Sequence, residues 1–220
     1  MASTLLLPRQ RRPDGLEYDP VAACRHLSGA DPQLGQLIAR VGEFGLRPRI
    51  THSLFTSLLR SIVYQQLSGK AAETILRRVI RLTAPRRFPT PRDLLELPPE
   101  RLRGAGLSTA KTAAVRDLAA RTLDGTVPPL ASIRRMEDEE IIQRLTLVRG
   151  IGRWTVEMLL IFRLGRPDVL PVDDLGVRKG FGRVFRRGKL PEAASMLRRA
   201  EGWRPYRSVA TWYLYRALEL

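Results

Sequence analysis

The segment Asp138-Glu-Glu-Ile-Ile-Gln-Arg-Leu-Thr-Leu-Val-Arg-Gly-Ile-Gly-Arg-Trp-Thr-Val-Glu-Met-Leu-Leu-Ile-Phe162 decides how the rest of the chain is read. Its first eight residues have an acidic start and an apolar stripe, the pattern of a helix running to about Leu145. Its last eight, from Thr155, are almost wholly apolar and read as a second, buried helix. Between them lies Leu147-Val148-Arg149-Gly150-Ile151-Gly152-Arg153-Trp154, where two glycines flank one apolar residue. Glycine permits a tight turn whose backbone can approach another molecule closely. The amides opening the second helix suit a phosphate oxygen, with Arg149 and Arg153 adding charge beside them. Ile151 is expected to plug the turn into the core. A dinucleotide fingerprint is excluded because position 155 is Thr rather than Gly, and a P-loop because no Gly-Lys-Ser/Thr follows. A plain helix–helix turn remains the alternative on the glycines alone.

Outward from this segment the periodicity is helical nearly everywhere. Asp19-Pro20 and Asp31-Pro32 each place a capping carboxylate before a proline at the first helical position. Leu54, Phe55, Leu58, Leu59, Ile62 and Val63 recur at helical spacing, and Ser68 opens another, basic helix. Pro85, Pro89 and Pro91 predict a break. Further helices are expected at Pro99–Gly104, Thr109–Leu123, Leu175–Val184, Glu192–Ala200 and Tyr206–Leu218. Alternating strand patterns are scarce, so the fold class is all-α. Residues 1–18, with Arg9, Arg11, Arg12 and two prolines, read as a basic N-terminal arm, and 19–220 as one domain whose lobes the sequence does not separate.

Lys+Arg number 38 against 22 Asp+Glu, a formal net charge of +16 that favours a polyanionic partner such as nucleic acid. With 44% hydrophobic residues the chain has a core's worth of apolar side chains. The longest apolar run, Val156 to Phe162, is broken by Glu157 and too short for a bilayer, so no membrane partner and a cytoplasmic location are expected. The single cysteine, Cys24, excludes an intrachain disulfide and a four-cysteine zinc or iron–sulfur site. No heptad or dimer face is evident, so the expectation is a monomer.

The hairpin LVRGIGRWTVEM resembles that of the helix-hairpin-helix (HhH-GPD) DNA glycosylases, with a pattern near L-P-G-I-G-x-[KW]-T-A. That family follows the hairpin with a Gly/Pro-rich stretch ending in a catalytic aspartate. Here Leu170-Pro171-Val172-Asp173-Asp174 fits, with Asp174 lying 22 positions after Gly152. IVYQQLSGKAA at 62–72 is similar to the family's intercalating loop. LRGAGLSTAKTAAVRDLA at 102–119 and WRPYRSVATWYLYRA at 203–217 resemble the 3-methyladenine glycosylase II branch, in its short form without an N-terminal β-domain. The resemblance runs from about residue 50 to 218 and implies a two-lobed all-α fold, the active-site cleft between the lobes and the helix-hairpin-helix at about 138–164. Its implied activity is flipping alkylated bases such as 3-methyladenine or 7-methylguanine from double-stranded DNA and hydrolysing the N-glycosidic bond.

The resemblance also distributes roles. Asp174 is the implied catalytic carboxylate; its alternative is a helix N-cap, for which Asp173 is the better candidate, so that the pair divides the two tasks. Trp154, Met158 and Tyr215 are implied to line the base pocket, Trp212 and Tyr64 less strongly, with core packing the alternative for both Trp212 and Tyr215. Electron-rich faces there would favour a cationic alkylated ring. Gln65, Gln66, Leu67 and Ser68 form the implied intercalating loop, with Gln66 or Leu67 as the plug. Gly150, Gly152 and Thr155 would grip phosphate by their amides, with Arg149, Arg153, Lys70 and Lys111 as charged helpers. The backbone carbonyls of Thr146, Val148 and Ile151 are implied to hold a monovalent Na+ or K+; otherwise no cofactor is required. The chain departs from the pattern at Arg149, where a proline is usual, and at Trp154, where glycosylase/lyases carry their Schiff-base lysine. Without that amine the covalent route lacks its nucleophile, which implies a monofunctional enzyme. The rivals are a non-catalytic helix-hairpin-helix DNA-binding module, a glycosylase/lyase for other damaged bases, and a basic RNA-binding protein.

Overall fold

A computed structural model of the chain describes residues 15–48, 53–85 and 88–220. Regular structure among the described residues is helical throughout, as the periodicity predicts. Two compact units emerge, one from Met1–Ile50 with Glu157–Leu220 as far as described, the other from Thr51–Val156. No helix among the described residues is long and apolar enough to cross a membrane.

The first unit opens with α1 (Pro20–Ala30) and α2 (Pro32–Val41), each started by the expected Asp-Pro pair. Asp31 ends α1 and caps α2, accepting from the Gln33 and Leu34 amides at 3.1 and 3.3 Å. Its carboxylate also takes two bonds from Arg199, at 2.7 and 2.9 Å, and one from Trp203 Nε1 at 3.2 Å. Burial alone would raise this carboxyl's pKa; the Arg199, Leu34 and Trp203 donors overcome it and hold the value below the ordinary range.

The second unit holds α3 (Leu54–Tyr64), α4 (Gly69–Arg81), α5 (Pro91–Glu96), α6 (Pro99–Gly104), α7 (Thr109–Leu123), α8 (Leu130–Ile133) and α9 (Asp138–Leu145). Its core is α7 packed on α3 and α5, with Leu58, Leu59, Ile62, Leu94, Val115 and Leu118 fully buried. Each such side chain contributes about 1.5–3 kcal/mol by leaving water. Arg116 reaches from α7 to the C-terminal carbonyls of α5, donating to Leu94, Leu95 and Leu97 at 3.3, 3.2 and 2.8 Å. The expected proline break therefore holds a short helix: Thr90-Pro91 is a start signal, closed by a reciprocal capping box between Thr90 and Asp93.

The chain then enters α10 (Arg153–Leu159), which loosens into a π-helical turn at Leu160–Leu164 and ends at Gly165 in the left-handed region. A side chain on Gly165 would meet the Gly15 carbonyl oxygen at 2.8 Å. The first unit is completed by α11 (Leu175–Phe185), α12 (Ala193–Ala200) and α13 (Arg207–Arg216). Residues 1–14 of the expected arm lie outside the described residues. The assignment of 15–18 to the arm is corrected: Leu16 and Tyr18 are buried, and Glu17 pairs with the buried Arg166 at 3.7 Å. The density of proline and arginine just before them masked two core anchors.

Candidate functional site

The hairpin forms as its glycines require. After α9 the chain tightens, with the Val148 amide donating to Leu145 O at 3.1 Å and the Ile151 amide to Val148 O at 3.0 Å. Gly150 adopts φ +77, and any side chain there would come within 3.3 Å of the Ala114 Cβ on α7. Val148 and Ile151 are buried as plugs, while Arg149, Gly150, Gly152, Arg153 and Trp154 are exposed. Two contacts fix the turn: the Arg149 amide donates to Asp117 Oδ2 at 2.7 Å, and Gln65 Nε2 donates to Gly150 O at 2.8 Å. Asp117 was not singled out in the sequence, although it stands in the 102–119 stretch that carries the resemblance.

The second contact ties the hairpin to the turn between α3 and α4. There Gln66 takes φ +56, unusual for a side chain larger than glycine, and both Gln66 and Leu67 face solvent at its tip. Ser68 caps α4 through the Ala71 amide at 3.4 Å, so the expected loop residues divide into an anchor (Gln65), a tip (Gln66, Leu67) and a cap (Ser68).

Lys111 is a correction. Expected as a phosphate helper, it turns inward instead, and its Nζ donates to Val63 O at 2.8 Å and Gln65 O at 2.6 Å. The C-terminal carbonyls of α3 have no intrahelical partner, and an ammonium beneath them is a better neighbour than solvent. Burial lowers the lysine pKa. The residue supports the loop from below. Arg153 is engaged too, in a bidentate pair with Glu139 at 3.0 and 2.7 Å that holds the glutamate carboxyl below its ordinary range. Both partners are about half exposed, so the pair is weakly held. Lys70 is exposed, and Thr155 is buried. Tyr64, expected near the pocket, donates its hydroxyl to Glu73 and lies under Arg60, 5.3 Å from the ring centre.

The carboxylate belongs to the other unit. Leu170 and Pro171 are buried and lead into a turn in which the Asp174 amide donates to Pro171 O at 3.1 Å. Asp174 is itself the N-cap of α11: its Oδ1 accepts from the Val177 amide at 2.8 Å, and the residue is only 8% exposed. The division of labour with Asp173 is thereby corrected, since Asp173 is exposed and Asp174 does the capping. The cap fixes the carboxylate, which suits a group meant to act in one orientation.

Of the expected aromatics in this unit, Tyr215 lies beside Asp174 and Trp212 packs elsewhere. Tyr215 on α13 is half-buried, its ring 6.2 Å from that of Phe162, and its hydroxyl directs its proton toward Met158 Sδ at 3.7 Å. Burial, and after it the Asp174 charge and carboxylate, push the Tyr215 phenol far up, so it stays protonated. Trp212 lies edge-on against Phe44, with centroids 5.0 Å apart, and its ring is 3.4 Å from where a Cβ would stand on Gly45. That is the core-packing alternative for Trp212. Trp154, in the other unit, is 49% exposed. Gly176 and Gly180, where α11 meets Tyr215 and the Leu214 backbone, are close-contact positions the sequence reading passed over; their four-residue spacing, which puts both on one face of α11, was the available signal.

Comparison with known proteins identifies the family. The chain is 38% identical over 198 residues, 89% of its length and 86% of the relative's, to DNA-3-methyladenine glycosylase 1 of Schizosaccharomyces pombe. The structure of that organism's 3-methyladenine DNA glycosylase Mag1 in complex with abasic DNA superposes with a TM-score of 0.78 at 37% identity, covering 90% of this chain and 97% of Mag1. A Bacillus halodurans DNA-3-methyladenine glycosidase gives a TM-score of 0.81 at 34% identity, covering 89% and 88% of the two chains. Residues 59–205 match the family of HhH-GPD superfamily base excision DNA repair proteins, a span holding the hairpin, the loop before α4 and Asp174. The chain belongs to the HhH-GPD superfamily of base excision DNA repair proteins.

Proposed function

We propose that the protein is a monofunctional DNA glycosylase that removes alkylated purines from double-stranded DNA, with Asp174 as its catalytic carboxylate. The observation that carries the reading is the Asp174 carboxylate itself, buried and oriented by the first turn of α11 beside Tyr215. Breaking the C1′–N bond sends the electron pair out with the base and leaves oxocarbenium character on the sugar. A fixed carboxylate stabilises that cation and accepts a proton from the water that attacks C1′. The products are a free base and an abasic site.

An alkylated purine carries positive charge and departs readily, so the pocket's task is selection rather than strong acid catalysis. The Tyr215 ring and the polarizable Met158 thioether suit an electron-poor ring. A stacked base cannot reach a buried carboxylate, so the nucleotide must flip out and the gap must be filled. Gln66 and Leu67, exposed at a tip anchored through Gln65 and Lys111, are the residues that would fill it. Arg149, Lys70 and the amides of Gly150 and Gly152 are the candidates for the phosphate backbone. The carbonyls of Thr146, Val148 and Ile151 are the candidates to hold a monovalent cation that would brace the hairpin turn, Val148 O also accepting the Ile151 amide.

Trp154 in place of a lysine supports hydrolysis without a covalent intermediate. Duplex DNA containing 7-methylguanine, incubated with excess protein, should yield free methylguanine and a strand that breaks only after alkali, with no borohydride-trapped complex. Strand breakage without alkali, or a trapped adduct, would make the protein a glycosylase/lyase. Binding without base release would leave a DNA-binding module.

A further inference from the structure

The face of α11 that follows Asp174 is built for an unusually close neighbour. Gly176 and Gly180 lie one turn apart on it. A Cβ on Gly180 would stand 2.7 Å from the carbonyl carbon of Leu214 and nearer still to its oxygen, so the α13 backbone rests directly on α11. One turn nearer the helix start, a Cβ on Gly176 would stand 2.7 Å from Tyr215 Cε1 and 3.1 Å from Asp174 Oδ1. The hydrogen that Gly176 carries instead of a side chain is therefore what allows the Tyr215 ring to lie against the residue that caps the helix. The crossing brings one phenol and one carboxylate together across a glycine, on two helices held rigidly by backbone contact.

We propose that Tyr215 is a positioning residue for Asp174, its hydroxyl donating to the carboxylate and, with the Val177 amide on Oδ1, fixing the plane in which the acid meets the sugar. Gly176 is the residue that admits it. This rests on the reading of Asp174 as the reacting carboxylate. The phenol has one proton, and the acceptors in its surroundings include the Met158 thioether at 3.7 Å and the Asp174 carboxylate. Sulfur is the weak acceptor and an ionised carboxylate the strong one, so a turn of the hydroxyl about its C–O bond favours the acid. Burial and the adjacent carboxylate keep the phenol a donor throughout the working pH range. The role differs from lining the base pocket, since a pocket wall uses the ring face and positioning uses the hydroxyl.

Tyr215→Phe separates the two, because it keeps the ring and removes the donor. Single-turnover release of 7-methylguanine and binding to abasic-site DNA should be measured for wild type, Tyr215→Phe, Gly176→Ala, their double variant and Asp174→Asn, with each fold checked by circular dichroism. A lost hydrogen bond to a charged group predicts a rate about ten- to a hundredfold lower for Tyr215→Phe with unchanged binding. Gly176→Ala keeps every functional group but displaces the ring. It should slow release in the same direction, and the double variant should be no slower than the slower single. Wild-type rates in Tyr215→Phe with Asp174→Asn inactive would overturn this inference alone. Activity in Asp174→Asn would overturn the reading on which it rests. Strictly additive losses, or a Tyr215→Phe defect that lies wholly in binding, would also overturn the inference, and if Gly176→Ala does not fold, Tyr215→Phe decides by itself.

Discussion

Gly180→Ala asks the most of the helix crossing that carries Tyr215. The added Cβ would begin 2.7 Å from the Leu214 carbonyl carbon, where carbon atoms rest about 3.5–4.0 Å apart, so α11 and α13 must part by about 1 Å. A gap of that size forfeits roughly a quarter to a half of each contact's attraction. Val177 and Phe181 on α11 and Tyr213 and Leu214 on α13 are fully or nearly fully buried. At about 1.5–3 kcal/mol of burial each, the loss comes to about 3 kcal/mol. Alanine's better helix propensity returns about 1 kcal/mol, leaving about 2 kcal/mol of net destabilisation. For a chain of this length that is a fall in Tm of about 4–8 °C. The control is Gly29→Ala on α1, where a Cβ meets nothing within 4 Å and the same substitution should raise Tm by a few degrees. Thermal melts of both, with base release followed in parallel, give opposite signs if the crossing is as tight as described. A Gly180→Ala protein melting at or above wild type would refute the close approach and the placement of Tyr215 with it.

Asp31→Asn should lower stability by about 2 kcal/mol at neutral pH, because the Arg199 and Trp203 donors lose their charged acceptor. The Asp31 carboxyl is held low in the folded protein, so its contribution is complete above the unfolded value of about 4 and drains away as pH falls through the lower folded value. Urea midpoints of wild type and variant should thus converge below about pH 4, and a gap that stays constant to pH 2 would contradict the assignment. Lys111→Met removes the donor beneath Val63 O and Gln65 O and should cost about 1–2 kcal/mol, with a larger loss of excision on duplex than on single-stranded substrate. Equal losses on the two substrates would remove Lys111 from the support of the loop. Arg149→Ala should weaken duplex binding about equally across sequences and reduce the slope of log affinity against log salt by about one. An unchanged slope would take Arg149 off the phosphate backbone.

The parts of this fold that could be read from the chain are those decided locally. Asp-Pro pairs start α1 and α2 because the carboxylate caps and the proline is preset for the first turn, and neither needs a tertiary partner. The hairpin was legible for the same reason: α9 ends at Leu145, Gly150 takes the left-handed conformation, and Ile151 is buried between exposed glycines. What stayed hidden depends on residues far apart in the chain. Lys111 reads as one more surface cation until α7 is laid across the end of α3, where two carbonyls wait for a donor. Gly176 and Gly180 read as weak spots in a helix until α13 arrives from some thirty-five residues later and needs the space. Asp173 and Asp174 offer the same cap chemistry, and only the turn from Pro171 decides which of them faces the Val177 amide. Leu16 and Tyr18 were lost in the proline- and arginine-rich stretch before them, where composition describes a segment and says nothing of its last anchors.

The most direct test of the account is base release from methylated duplex DNA by wild type and Asp174→Asn, with binding to the same duplex followed alongside. The account predicts free methylpurine from wild type, little or none from the variant, and affinities that match within a few fold. Release by the variant at the wild-type rate would contradict the role given to Asp174, and no release by wild type despite tight binding would contradict the glycosylase itself.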